Sequence, residues 1–165
     1  AVQLIKDENV RKENLESLSE TLNNAMTEIR SSVHDLHDDS IDLKQVISES
    51  VKPLTENNIT VYTEYDVNGN ILNSIKFCMA GIVKEGVSNI IKHSNADSVN
   101  IIVREHPAFY QLMIGDNGVC SETFSENGIG LSNMRERVRN LGGFIEISSG
   151  RNGFHIFVSL KKQMR

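Results

Sequence analysis

The chain has 165 residues, 39% hydrophobic and 24% charged, with a formal net charge of −5 and only two cysteines, Cys78 and Cys120. That length holds one domain of ordinary size plus one extra element. The acidic balance argues against an electrostatic nucleic-acid binder, which needs a basic stripe. The two distant cysteines lack metal-ligand neighbours, so a reducing, cytoplasmic setting without a zinc site is expected. No apolar run approaches the roughly 20 residues that span a bilayer. The chain opens on Ala1-Val2-Gln3-Leu4-Ile5, without Met, so it reads as a fragment whose membrane anchor, if any, lies upstream.

In chain order, Leu15, Leu22, Ile29 and Leu36 recur every seven residues, with Leu18, Ala25, Met26 and Val33 between them. This a/d-like seam predicts a long helix that needs a partner: a second copy of the chain is the economical candidate, and packing on the domain that follows is the alternative. His34 and His37 stand among acids at its end and are read as structural. Residues 41–51 predict a helix stopped or kinked by Pro53. A strand over 59–65 follows, then a helix over 72–93, a strand over 96–104, and a turn at His106-Pro107-Ala108 into a strand over 109–114. After a polar loop over 119–127, Gly128 opens a helix through Met134, Val138 and Leu141 that Gly142-Gly143 stops. Strands over 144–147 and 155–160 close the chain. Three helices and about five strands with hairpin links predict a two-layer α+β sandwich over 41–165, rather than a βαβ sheet, after a dimerisation-type helix in 1–40.

The third predicted helix carries the most suggestive chemistry. Glu85, Asn89 and His93 stack one turn apart on one face. A carboxylate can orient water or hold a hydrated cation, an amide oxygen can ligate Mg2+, and Lys92 and His93 can meet phosphate. An ordinary solvated surface helix fits this stretch as well. Asp116, at a strand end before Asn117-Gly118, can accept from an exocyclic amine such as adenine N6. Gly128 and Gly130 at a helix start offer N–H groups to phosphate, although a plain loop-to-helix turn has the same pattern. A Walker-type loop and a six-residue G-x-G-x-x-G motif are both absent.

The ordered set Glu85-x-x-x-Asn89-x-x-Lys92-His93, Asp116-x-Gly118, and Gly128-Ile129-Gly130-Leu131-x-x-Met134-Arg135-Glu136-Arg137-Val138 with Leu141-Gly142-Gly143 resembles the N, G1 and G2 boxes of the ATP-binding domain of two-component sensor histidine kinases. The group it resembles most is that of the nitrate and DesK-like sensors, and the resemblance covers roughly residues 22–160. It implies the Bergerat ATP-binding fold and a transferase that passes the γ-phosphate of Mg-ATP to a histidine for relay to a response regulator. It implies a homodimer formed through the N-terminal helix. By the same resemblance, Asn89 is the Mg2+ ligand and Glu85 the catalytic residue orienting water in the metal shell. Lys92 and His93 face the phosphates, Asp116 binds the adenine amine, and Gly118, Gly128, Gly130 and Leu131 shape the ATP pocket.

Three features depart from the family pattern. Cys120 stands where a second glycine is usual, and Phe154 replaces a Thr after Gly153, which is expected to weaken nucleotide affinity. No E-x-x-R-I-A-x-E-L-H-D acceptor segment is present; His37-Asp38 imitates only its last two letters, so the acceptor His is expected upstream of Ala1. The alternatives are a nucleotide-binding regulatory module without kinase activity and an anti-sigma-type serine kinase.

Overall fold

The computed structural model describes Leu18, Leu22 and residues 41–119, 128–150 and 153–162. The chain divides into two compact units, Ala1–Ser40 and Ile41–Arg165. In the first, Leu18 and Leu22 are helical and 63% and 58% exposed. The remainder of the heptad seam, with His34 and His37, lies outside the described residues.

The second unit contains helices α1 (Leu43–Ser50), α2 (Lys52–Glu56), α3 (Asn73–His93) and α4 (Ile129–Asn140), and strands β1 (Thr60–Asp66), β2 (Ser98–Glu105), β3 (Phe109–Asp116), β4 (Phe144–Gly150) and β5 (Gly153–Lys161). Local chemistry explains the boundaries. Asp42 caps α1 by accepting from the Gln45 N–H at 3.1 Å, which satisfies a donor the helix cannot. α1 ends at Ser50, the expected stop or kink ahead of Pro53, and Pro53 lies in the short helix that follows. It occupies the first turn of α2, where a missing N–H costs nothing, so four helices are described in place of three. Gly142, at φ +63°, ends α4. The Gly143 N–H reaches Val138 O and the Gly142 N–H reaches Arg139 O, both at 2.9 Å, the paired bonds of a Schellman cap.

The strands form one sheet in the order β1-β2-β3-β5-β4. β2, β3, β5 and β4 pair antiparallel, but β1 pairs parallel with β2, Thr60 opposite Ser98 and Asp66 opposite Arg104. The expectation of hairpin links throughout is therefore corrected: β1, α3 and β2 make a βαβ unit at one edge. Parallel neighbours need a long crossover, and α3 supplies it. The class remains two-layer α+β.

Strand alternation sends one face inward. Val99, Ile101 and Val103 of β2, Leu112 and Ile114 of β3, and Ile156, Val158 and Leu160 of β5 are buried against Ile75, Met79, Ile82, Val83, Val87 and Ile90 of α3 and Leu131, Met134 and Val138 of α4. Gly86 lets α3 press on the sheet; a Cβ there would stand 3.0 Å from Ile114 Cδ1. This close approach carries the polar face of α3 to the end of β3.

Candidate nucleotide site

Inward alternation along β3 makes Asp116 an inner-face residue, and it is 4% exposed, the one buried charged residue among those described. A carboxylate so placed requires partners. Its Oδ1 accepts from Ser94 Oγ at 2.9 Å and from the Gly118 N–H at 2.7 Å. Its Oδ2 is equally buried and has no hydrogen-bond partner. One oxygen is thus fixed by the protein and the other is left to accept from something else. Gly118 must be glycine, since a Cβ would run into Ser94 Oγ and stand 2.5 Å from the Ala96 nitrogen.

The turn after α3 is laced to the end of β3. Asn117 Oδ1 accepts from the N–H groups of Asp97 and Ser98, at 3.2 and 3.1 Å, and its Nδ2 donates to Asp97 Oδ1 at 2.7 Å. Asn95 Oδ1 accepts from the Val119 N–H at 2.6 Å. The Ala96 N–H donates to Ser94 Oγ at 3.2 Å, so that hydroxyl both receives and gives.

At the other end of the α3 polar face, the carboxylate end of Glu85 lies against Gly130, where a Cβ would stand. Gly128 is the N-cap of α4, which has no side-chain cap and no acid in its first turn. That helix start is the positive end of a dipole. Between the two ends lies Asn89, whose Nδ2 is buried without a partner. From Glu85 to Ser94 the helix rises about 14 Å. A buried carboxylate oxygen stands at one end of this face and an uncapped helix start at the other, with an unmet amide between.

The structure brings Glu85, Asn89, Asp116, Gly118 and Gly130 to this face. His93 is partly buried one turn beyond Asn89. Leu131 is 3% exposed and belongs to the core under α4. Lys92 does not join the others: it is exposed, and with Lys84, Val87, Ser88 and Ile91 it lines a cleft of about 500 Å3 against Val46, Glu49, Ser50 and Pro53. Three residues past Asn89 it is turned toward α1. Of the polar loop expected over 119–127, which would flank the pocket as a lid, only Val119 is described; Cys120 and the rest lie outside the described residues. Phe154, expected to disturb the site, is 1% exposed.

Sequence reasoning assigned Ser94 no role, and it matched Gly153 to the family pattern without its contact to Asp116. Gly153 has φ +110°, and a Cβ on it would collide with the Asp116 carbonyl oxygen. For Ser94 the available signal was its position directly after His93, at the point where a helix must hand over to a turn.

No protein-family model matches the chain. Among curated proteins it is 30% identical over 129 residues to the signal transduction histidine-protein kinase/phosphatase UhpB of Salmonella typhimurium, covering 76% of this chain and 26% of that protein. It is 25% identical over 155 residues to the sensor histidine kinase DesK of Bacillus subtilis, covering 88% and 40%. Among solved structures, the catalytic domain of histidine kinase ThkA superposes with a TM-score of 0.59 at 19% identity, covering 74% of this chain and 93% of that one. The chain thus spans about a quarter to two-fifths of these curated relatives. Its α+β sandwich is the fold of histidine kinase catalytic domains. By sequence the chain is similar to sensor histidine kinases, UhpB and DesK among them. No described helix is long and apolar enough to cross a membrane.

Proposed function

We propose that this chain is the ATP-binding catalytic portion of a sensor histidine kinase, transferring the γ-phosphate of Mg-ATP to a histidine outside residues 41–165, for relay to a response regulator. The observation that carries this reading is the half-satisfied carboxylate of Asp116: Oδ1 held by Ser94 and Gly118, Oδ2 buried with no partner. A buried acceptor without a donor is costly, and the exocyclic amine of adenine supplies one.

From that end the rest follows along α3. Asn89 has unmet hydrogen-bonding capacity, and its amide suits both a metal ion through oxygen and a phosphate oxygen through nitrogen. The side-chain chemistry of Asn89 and Glu85 therefore fits Mg2+ held by the amide, with the carboxylate orienting its water. When bound, the ion neutralises charge on the phosphates. Gly128 and Gly130 at the α4 start offer backbone N–H groups to phosphate. Phosphoryl transfer asks chiefly for positioning and charge stabilisation, and this face provides groups for both. The leucine seam of residues 15–36 supports dimerisation, since one helix cannot bury it alone.

Calorimetric titration with Mg2+ and a non-hydrolysable ATP analogue tests the reading. Binding is expected for the chain as it stands and its loss in Asp116→Ala; the same titration on Asn89→Asp is expected to show weakened binding that Mg2+ no longer strengthens. Unchanged isotherms for both variants would sink the site assignment.

A further inference from the structure

Ser94 stands at the C-cap of α3, where the chain leaves the helix with φ −114° and ψ 147°. Its hydroxyl has a single proton, and the geometry uses it on Asp116 Oδ1, while the oxygen accepts from the Ala96 N–H. A hydroxyl that accepts from the backbone in this way has its own donation directed. Asp116 Oδ1 therefore holds two donors, Ser94 Oγ and the Gly118 N–H, and the carboxylate plane is set by them. Oδ2 is left as a pure acceptor in a buried position. Gly118, with no room for a Cβ beside Ser94, keeps the backbone close enough for both bonds.

We propose that Ser94 is the positioning residue for base selectivity at this site, pinning the Asp116 carboxylate so that Oδ2 meets a 6-amino purine and opposes a 6-oxo purine. This rests on the nucleotide-binding reading above. An amine at the purine 6-position donates to Oδ2. A carbonyl there presents lone pairs to the same oxygen, which is repulsive, and discrimination of this kind needs the repulsive element as well as the attractive one. Without the Ser94 proton, only the Gly118 N–H restrains the carboxylate. It can then rotate to accept the N1–H that a 6-oxo purine carries, and the penalty against the wrong base falls.

The test is to titrate the whole chain, with Mg2+, with ATP and separately with inosine triphosphate. Ser94→Ala is expected to weaken ATP binding about tenfold, the order of one hydrogen bond to a charged group, while inosine triphosphate affinity holds or rises, so the ratio collapses. Ser94→Thr, which keeps the hydroxyl, is expected to retain the ratio. Ser94→Cys, nearly isosteric but a weak donor, is expected to lose it, and it serves if Ser94→Ala does not fold. Equal losses for both nucleotides, the mark of a merely structural hydroxyl, would overturn the proposal. So would a ratio in Ser94→Cys that matches wild type. A wild-type chain that binds neither nucleotide overturns the function proposed above and this inference with it, whereas wild-type ATP binding with an unmoved ratio in the variants overturns this inference alone.

Discussion

Gly153 opens β5 with its Cα set against the carbonyl oxygen of Asp116, at a backbone angle of φ +110°. Two constraints coincide there: the conformation disfavours any side chain, and the space a Cβ needs is already filled by main chain. Gly153→Ala is therefore expected to destabilise the domain by about 1–3 kcal/mol and to weaken nucleotide binding, because relief of the clash moves Asp116. Thermal melting and titration on the same preparation check both effects. A variant with wild-type melting would mean that the strand start yields freely.

Gly130→Ala tests a glycine of the opposite kind. Its Cβ would meet the far end of the Glu85 side chain rather than main chain, and such a side chain can swing away. Replacing Gly by Ala inside a helix also favours folding by up to about 1 kcal/mol. The expected outcome is unchanged or slightly higher stability with nucleotide affinity reduced several-fold, since the carboxylate is displaced from the α4 start. Weak binding accompanied by a lowered melting temperature would show that the residue serves packing instead.

These two glycines also mark what was legible beforehand. Gly130 stood in a spaced pattern with Gly128 at a helix start, and the helical periodicity of residues 83–93 fixed which side chains share a face with Asn89. Strand alternation in 99–103 and 109–114 likewise gave the sheet its inner face. What Gly153 and Ser94 lie against, and the parallel pairing of β1 with β2, were not readable, because each depends on which distant segment lies alongside. Strand 60–66 has the same alternation whether its neighbour runs parallel or antiparallel. The break at Pro53 was legible, since α1 ends at Ser50 just before it; the short helix that holds Pro53 was not, because proline also suits a first turn and only the location of the helix start reveals it.

The loop after β1 is held by Glu105, which gives a pH signature remote from the nucleotide site. Glu105 Oε1 is 2.5 Å from Lys162 Nζ, and Oε2 accepts from the N–H groups of Asn68 and Gly69 at 2.8 and 2.7 Å. The hydrogen bond from Lys162, then those from Gly69 and Asn68, hold its carboxyl down from the ordinary 4.5 to about 2. A carboxyl whose folded value is depressed contributes stability that is fully present above the unfolded value and lost as pH falls toward the folded one. Stability is therefore expected to decline between about pH 4.5 and 2, and Glu105→Gln to flatten that part of the profile. Denaturant midpoints measured across this range for both proteins check it; identical slopes would remove Glu105 from the account.

Phe154 carries the remaining conflict between pattern and structure. The resemblance drawn from the sequence implies a Thr after the glycine, with a polar contact near the base, so Phe at this position is expected to weaken nucleotide binding. The ring is nevertheless 1% exposed and among the largest fully buried side chains described. The antiparallel register that sets Gly115 opposite His155 brings it beside Asp116 at the next step of the ladder. There it fills core volume on the buried face that also carries Asp116. Restoring the family's residue should then do harm: Phe154→Thr is expected to cost roughly 3 kcal/mol or more, as large-to-small core changes do, and to leave ATP affinity no tighter. Chemical denaturation, with titration at a temperature where the variant is folded, separates the two quantities. Tighter binding at unchanged stability would mean that the ring obstructs the base instead of walling its pocket.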